Sequence, residues 1–348
     1  MKDDDIISSD SNNSKNNDDT FVAGSNKGRK TYVVIGSDTR HAYLFPLIIT
    51  IQNWKQFGVN TILCLSEPRE NFMSNNATRL ILEIISEDKS VQIVFLNTTL
   101  APKHTIAQTC RLYIAASPAV NINDDDYIIT SDTDYWVFSL DSHIPKNDQK
   151  ILSYNSKCCG HNSNPKNPIK KFQFLPMCTI TMTAYLWREI MGVPKGWLSD
   201  GDVLSRRLYQ EFDSPSFIIN GTGKPKISGS WYADQLLISE KIHDWKLREN
   251  NAKYIGMLPR VRKERRIDRE QWIEDFSNVD LSKYDDAHVF HPLGEPKNWE
   301  KVQPLLKLMF NSTAVEWFNE IHSKYAKLAF PNTPATTTTR GAKSRIRA

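Results

Sequence analysis

No apolar run approaches the ~18 residues that a membrane-spanning helix requires, and the first residues are rich in Asp, Asn and Ser instead of pairing a basic stretch with an apolar core. Neither a membrane span nor a secretory signal is readable. The expectation is a soluble, cytoplasmic protein, with peripheral attachment to a membrane left open. Cysteine is scarce: Cys64, Cys110, Cys158, Cys159 and Cys178 show no metal-ligand spacing, and the neighbours Cys158 and Cys159 would bridge each other only in a strained geometry. Free thiols in a reducing compartment are therefore expected, and sequons such as Asn97-Thr98-Thr99 then carry no glycan. An excess of one charge is missing too, since the formal net charge is only +4 over 348 residues. The one dense basic cluster, Arg260 to Arg266, lacks interleaved aromatics and any recognised module. No nucleic-acid partner is expected, and the cluster reads as a solvated face or linker, with an anionic membrane or glycan ahead of nucleic acid as a contact. No internal repeat is evident.

What the chain does have is an apolar fraction of 40%, ample for a sizeable core. Residues 1–29 and 329–348 are polar and predict disordered tails. Between them, strands are predicted over 31–36, 60–65 and 91–96, and helices over 43–57 (with Pro46 near its start), 81–85 and 106–116. A further strand ends at the stretch described next. The alternation predicts an α/β fold with a mostly parallel central sheet flanked by helices. Beyond Trp136 the pattern loosens into a polar loop over 155–167, a strand region over 172–183 and helices over 185–191 and 203–212.

The most informative stretch is Tyr127-Ile128-Ile129-Thr130-Ser131-Asp132-Thr133-Asp134-Tyr135-Trp136, a β-branched run ending in two carboxylates two positions apart. Residues at i and i+2 of an extended segment share a face, and ligands of α/β sheets sit beyond the carboxyl ends of strands. Asp132 and Asp134 are thus placed to share a hard divalent cation that could hold a diphosphate. Far downstream, His291-Pro292-Leu293-Gly294-Glu295-Pro296-Lys297-Asn298-Trp299 supplies an imidazole, a glycine permitting close backbone approach and a lysine suited to phosphate oxygens. His288, three residues earlier, is the competing candidate and is expected to pack, because Val289-Phe290 reads as strand. Arg111, on the helix before the acidic strand, could reach sugar hydroxyls or a phosphate.

Together these segments resemble the metal-dependent nucleotide-sugar glycosyltransferases of the GT-A fold, most closely glycosyltransferase family 8, which includes glycogenin and bacterial lipooligosaccharide galactosyltransferases. The second segment is similar to that family's His-x-x-Gly-x-x-Lys-Pro-Trp motif, with Asn298 replacing the proline. Arg111-Leu112-Tyr113 resembles its Arg-Leu-Tyr helix, and Ala233-Asp234-Gln235 its Asp-Gln segment. Four matches in family order span roughly residues 31 to 305, which is more specific than any one alone.

The resemblance implies one GT-A domain over 30–328, with a nucleotide-binding half over 30–136 and an acceptor-binding half over 137–328. It implies transfer of a monosaccharide from a nucleoside-diphosphate sugar to a hydroxyl of a glycan or glycoprotein acceptor. Asp132, Asp134 and His291 would hold Mn²⁺ (or Mg²⁺), Asp134 as the stronger ligand and Asp132 also touching ribose. Asp38 would face the base or ribose, and Gly294 and Lys297 the β-phosphate. In retaining members the Asp234-Gln235 pair would lie beneath the anomeric carbon, leaving Trp197, Trp231, Asp200 and Asp202 to bind the acceptor sugar. A rival resemblance, of Gly196 to Val203 to the acidic loop of inverting galactosyltransferases, would make Asp200 or Asp202 the general base. The joint presence of Gln235 and the His-x-x-Gly-x-x-Lys segment favours retention. A non-catalytic glycan- or partner-binding protein of the same fold is the reading from another class.

Overall fold

The computed structural model describes residues 28–213, 229–248, 251–258 and 265–331. Most of both expected tails, and Arg260 to Glu264 of the basic cluster, lie outside the described residues.

The central sheet grows from β1 (Thr31–Ser37), whose Tyr32 to Ile35 are all buried, as a strand covered on both faces requires. It pairs in parallel with β2 (Asn60–Leu65), and β2 with β3 (Val91–Phe95). On its other side β1 pairs in parallel with β4 (Tyr127–Ser131). Beyond β4 come β9 (Ile180–Thr183), antiparallel to it, then β6 (Ile151–Ser153) and β10 (Ile255–Met257), giving the order β10-β6-β9-β4-β1-β2-β3. The expected α/β class with a mostly parallel sheet is what the chain adopts. The region expected as one strand over 172–183 is instead β8 (Phe172–Gln173), which pairs with β7 (His161–Asn162), followed by β9.

Helices cover both faces. One is occupied by α2 (Pro46–Gln56), α4 (Asn76–Glu87), α9 (Pro296–Met309) and α10 (Ser312–Ala329), whose Leu47, Ile81, Trp299 and Phe318 share one core. The other is occupied by α5 (Lys103–Tyr113), α6 (Ala184–Met191), α7 (Gly201–Phe212) and α8 (Ala233–Leu247), meeting at Ile106, Leu186, Leu204 and Leu237. The short helices α1 (His41–Leu44) and α3 (Arg69–Ser74) complete the set. The helix expected over 43–57 breaks into α1 and α2, with Pro46 at the first turn of α2, where its missing N–H costs nothing. Asn75 caps α4 with its side chain, and Gly192 ends α6 in the left-handed conformation (φ 65°).

Two local features position the site. Helix α5 runs so close to the end of β1 that a Cβ at Gly36 would lie 1.7 Å from the Ala107 carbonyl oxygen, so only glycine fits. A second sheet, β11 (Arg266–Asp268), β12 (Asp286–His288) and β5 (Tyr135–Val137), stands beside the first, with β12 parallel to β11 and antiparallel to β5.

Cys158 and Cys159 are joined by a disulfide, where the sequence reading expected free thiols. Positive φ at Asn155 (55°) and Gly160 (71°) flanks the pair. The other three cysteines are buried thiols.

Candidate active site

Strands β1 and β4 are neighbours whose successors leave in different directions, and the cleft opens at their carboxyl ends. The acidic pair does not continue the strand. After Ser131 the chain turns through Asp132-Thr133-Asp134 and enters β5 in the second sheet, so the carboxylates sit in the link between two sheets. That link is fastened from two sides: Thr50 Oγ1 donates to the Thr133 carbonyl (2.6 Å), and Val289 N donates to the Asp134 carbonyl (2.9 Å).

The pairing of β12 with β5 sets His288 opposite Tyr135, next to Asp134. Ligand atoms of Asp132, Asp134 and His288 lie within 4.8 Å of one another. The imidazole in this cluster is His288; His291, the ligand the resemblance implied, is near enough for its charge to act on Asp134. Strand β12 ends at His288 instead of running on through Phe290, and the His288 side chain lines the cleft. His291 lines the same cleft, its ring 5.7 Å from that of Tyr43.

Across the cleft, buried Arg111 gathers four acceptors, the first being the Gln108 carbonyl of its own helix, to which Nε donates (3.1 Å). Nη1 donates to Asp132 Oδ1 (2.6 Å) and to the Ser131 carbonyl (2.8 Å), and Nη2 donates to Asp234 Oδ2 (2.7 Å). Burial pushes the Asp234 carboxyl up to about 6, with Arg111 opposing and Asp132 adding to the rise. Asp234 Oδ1 accepts from Gln235 N at the first turn of α8, fixing Gln235 at the cleft wall.

The second sheet supplies balancing cations. Arg269 Nη1 lies 2.7 Å from Asp134 Oδ2, and His288 Nε2 lies 3.5 Å from the same oxygen. Burial alone would raise the Asp134 carboxyl, but His288 and Arg269 outweigh it and hold Asp134 well below the usual carboxylate range. His288 also faces Asp268, its Nδ1 3.8 Å from Oδ2. Burial lowers its pKa, yet Asp134 and Asp268 together carry it up to about 9.

Two carboxylates on the β4–β5 link and an imidazole at the end of β12 suit a divalent cation such as Mn²⁺ or Mg²⁺ by donor chemistry. Such an ion requires neutral His288, so it displaces a proton.

Of the residues singled out from sequence, Asp38, Arg111, Asp132, Asp134, His291, Trp231, Asp234 and Gln235 line one cavity of about 200 Å³. Asp38 is fully buried there and tied to Arg40, whose Nε lies 2.7 Å from Oδ2. The others stand outside its wall. Gly294 packs on Tyr325 and offers its carbonyl to His322 Nε2 (3.0 Å), and Lys297 is solvent-exposed in the first turn of α9. Trp197 rests on Tyr113, with ring centroids 5.2 Å apart. Asp200 caps α7 by accepting from Val203 N (2.8 Å), and Asp202 accepts from Thr98 Oγ1 (2.6 Å). Sequence reasoning missed Arg269 and Asp268, and it set His288, the competing candidate to His291, aside as a packing residue. Their spacing carries no motif, and only the pairing of β11, β12 and β5 unites them.

No protein-family model matches the chain, and no curated protein does. Among solved structures it is similar to the galactosyltransferase LgtC in complex with donor and acceptor sugar analogs, at 12% identity over 84% of this chain and 95% of that one, TM-score 0.41. It is similar also to the bifunctional glycosyltransferase WbbM, at 15% identity over 85% of this chain and 52% of that one, TM-score 0.41. At such distances the functional reading has to come from this chain's own residues.

Proposed function

We propose that the protein is a metal-dependent glycosyltransferase that moves a monosaccharide from a nucleoside-diphosphate sugar to a hydroxyl of a glycan or glycoprotein acceptor, with retention of configuration. One observation carries this reading: Asp132, Asp134 and His288 face Arg111, Asp234 and Gln235 across one cleft at the carboxyl ends of β1 and β4. A divalent cation there would act as a Lewis acid, offsetting the negative charge that develops on the diphosphate leaving group.

The chain's own residues would do the rest. Arg111 holds Asp132 and Asp234 in fixed positions without solvent between them, so neither must reorganise as charge shifts. Asp38, buried and engaged through both oxygens by Arg40, would have to exchange that partner to accept from a nucleoside. Gln235 presents an amide whose carbonyl could face the anomeric carbon opposite the leaving group. Trp231 supplies an aromatic face for an acceptor sugar at the cleft mouth. Asp200 and Asp202 are engaged in the start of α7, and that engagement favours retention over the inverting alternative.

The decisive experiment is a panel of nucleotide sugars with Mn²⁺ or Mg²⁺, scored by metal-dependent donor hydrolysis and by thermal shift. One donor should stand out, hydrolysis should stop with chelator, and Asp134→Ala should abolish it in a folded protein. Undiminished turnover in chelator would overturn the metal assignment, and silence across the panel would overturn the activity.

A further inference from the structure

The cleft contains a cation that motif reasoning does not predict. Arg269 follows directly on β11, in a one-turn segment started by Asp268, whose side chain accepts from Glu270 N. Its Nη1 touches Asp134 Oδ2 at 2.7 Å and the Val289 carbonyl at 3.2 Å. Oδ2 is also the oxygen that faces the His288 imidazole of the cluster, 3.5 Å from Nε2. The Asp134 side chain is only 8% exposed, whereas that of Arg269 is 30% exposed. A carboxylate this buried stays ionised only with a cation beside it, because left unpaired it would take up a proton instead. An arginine reaching in from the rim can leave without uncovering a core.

We propose that Arg269 is the internal counter-cation of this carboxylate pair: its guanidinium occupies the face of Asp134 that a divalent cation takes, and the two exchange there. The proposal rests on the reading that Asp132, Asp134 and His288 receive such a cation. Exchange keeps Asp134 compensated in both states and makes cation binding weaker than the bare ligand set would give. Affinity is reduced by the fraction of molecules whose site Arg269 leaves open. Released from Asp134, the guanidinium remains at the cleft wall, within reach of a diphosphate held by the cation.

The test is direct Mn²⁺ binding to the full chain without donor, by electron paramagnetic resonance of free Mn²⁺, for wild type, Arg269→Gln and Arg40→Gln. Arg269→Gln should lower the Mn²⁺ Kd by about three- to tenfold, as expected when a competing closed state is removed. Arg40→Gln removes a charge of the same sign from the same cleft, but one paired to Asp38, and should leave the Kd unchanged. Unchanged or weaker binding in Arg269→Gln overturns the proposal, and so does equal tightening in Arg40→Gln, which would show a general field instead of exchange. Arg269→Met, which keeps the aliphatic stem, replaces the glutamine variant if that fails to fold, with the same expectation. If wild type binds measurably and the variants match it, only this proposal falls. If none binds Mn²⁺, the metal reading falls with it.

Discussion

The guanidinium of Arg111 lies 2.7 Å from the carboxylate of Asp234, with their side chains only 6% and 4% exposed. The same guanidinium reaches Asp132, so helix α5 ties α8 to the link that follows β4. A buried pair of this kind is destabilising to break from one side, because the partner is left as an uncompensated charge. Arg111→Met should lower stability by about 3–5 kcal/mol in urea unfolding, whereas Arg111→Met combined with Asp234→Leu should recover much of it. If the double variant is as unstable as the sum of its parts, the two groups do not act as a pair.

Gly36 is set against the Ala107 carbonyl with no room for a Cβ. Gly36→Ala therefore has to push α5 off β1, at a cost of about 3 kcal/mol or more in a packed core. Soluble protein with a wild-type melting temperature would show that α5 can retreat freely.

Asp200 offers a clean separation of structural and chemical roles. As the cap of α7 it should cost about 1 kcal/mol when replaced by Ala and little when replaced by Asn, which also caps. Turnover should survive both changes. A folded Asp200→Asn protein that has lost nearly all turnover would move the general base to Asp200 and reverse the stereochemistry.

Gln235→Ala addresses the retaining reading from the other side. We expect kcat to fall by about 10²-fold, equivalent to ~2.7 kcal/mol of transition-state stabilisation, while donor affinity changes by less than about threefold. Proton NMR of the first linkage formed supplies the independent check. A β-linked product from an α-linked donor would exclude retention.

Acid should destabilise the protein through histidines kept neutral. Burial lowers His322, stacked on Trp299 and donating to the Gly294 carbonyl, to about 4, and lowers His143 to about 3. Both folded values lie below the ordinary value near 6.5, so the unfolded chain binds protons that the folded chain does not. The contribution is complete above that value and is lost progressively as pH falls towards the folded values. Burial lowers His41 and His104 in the same sense. Melting temperatures from pH 7.5 to 4.5 should drop for wild type and drop less for His322→Phe; parallel curves would remove His322 from this account.

Much of the framework was legible without coordinates because it depends on local pattern. Apolar runs at 31–36, 60–65 and 91–96 became adjacent parallel strands, and the helical spacings between and after them became α2, α4 and α5. The position of Asp132 and Asp134 at a strand end also followed from pattern, since a hydrophobic run that stops at charged residues must leave the sheet there. Helix ends were less readable. Asp200 looks chemical in sequence and is a cap, because capping is decided by whether the next residues turn helical.

By itself, then, the sequence determined the sheet class, its central strands and the acidic turn beyond one of them, all features governed by the period of burial along a few residues. Tertiary structure alone decided which imidazole joins the carboxylates, which arginine neutralises them and which glycines serve packing. His288 enters the cleft because β12 pairs with β5 in one register; a shift of one position would turn it away and present a neighbour. Arg269 and Asp134 are 135 positions apart in the chain and meet at 2.7 Å only because β11 lies beside β12. Contacts of that kind depend on register and on long-range pairing, which no local spacing encodes.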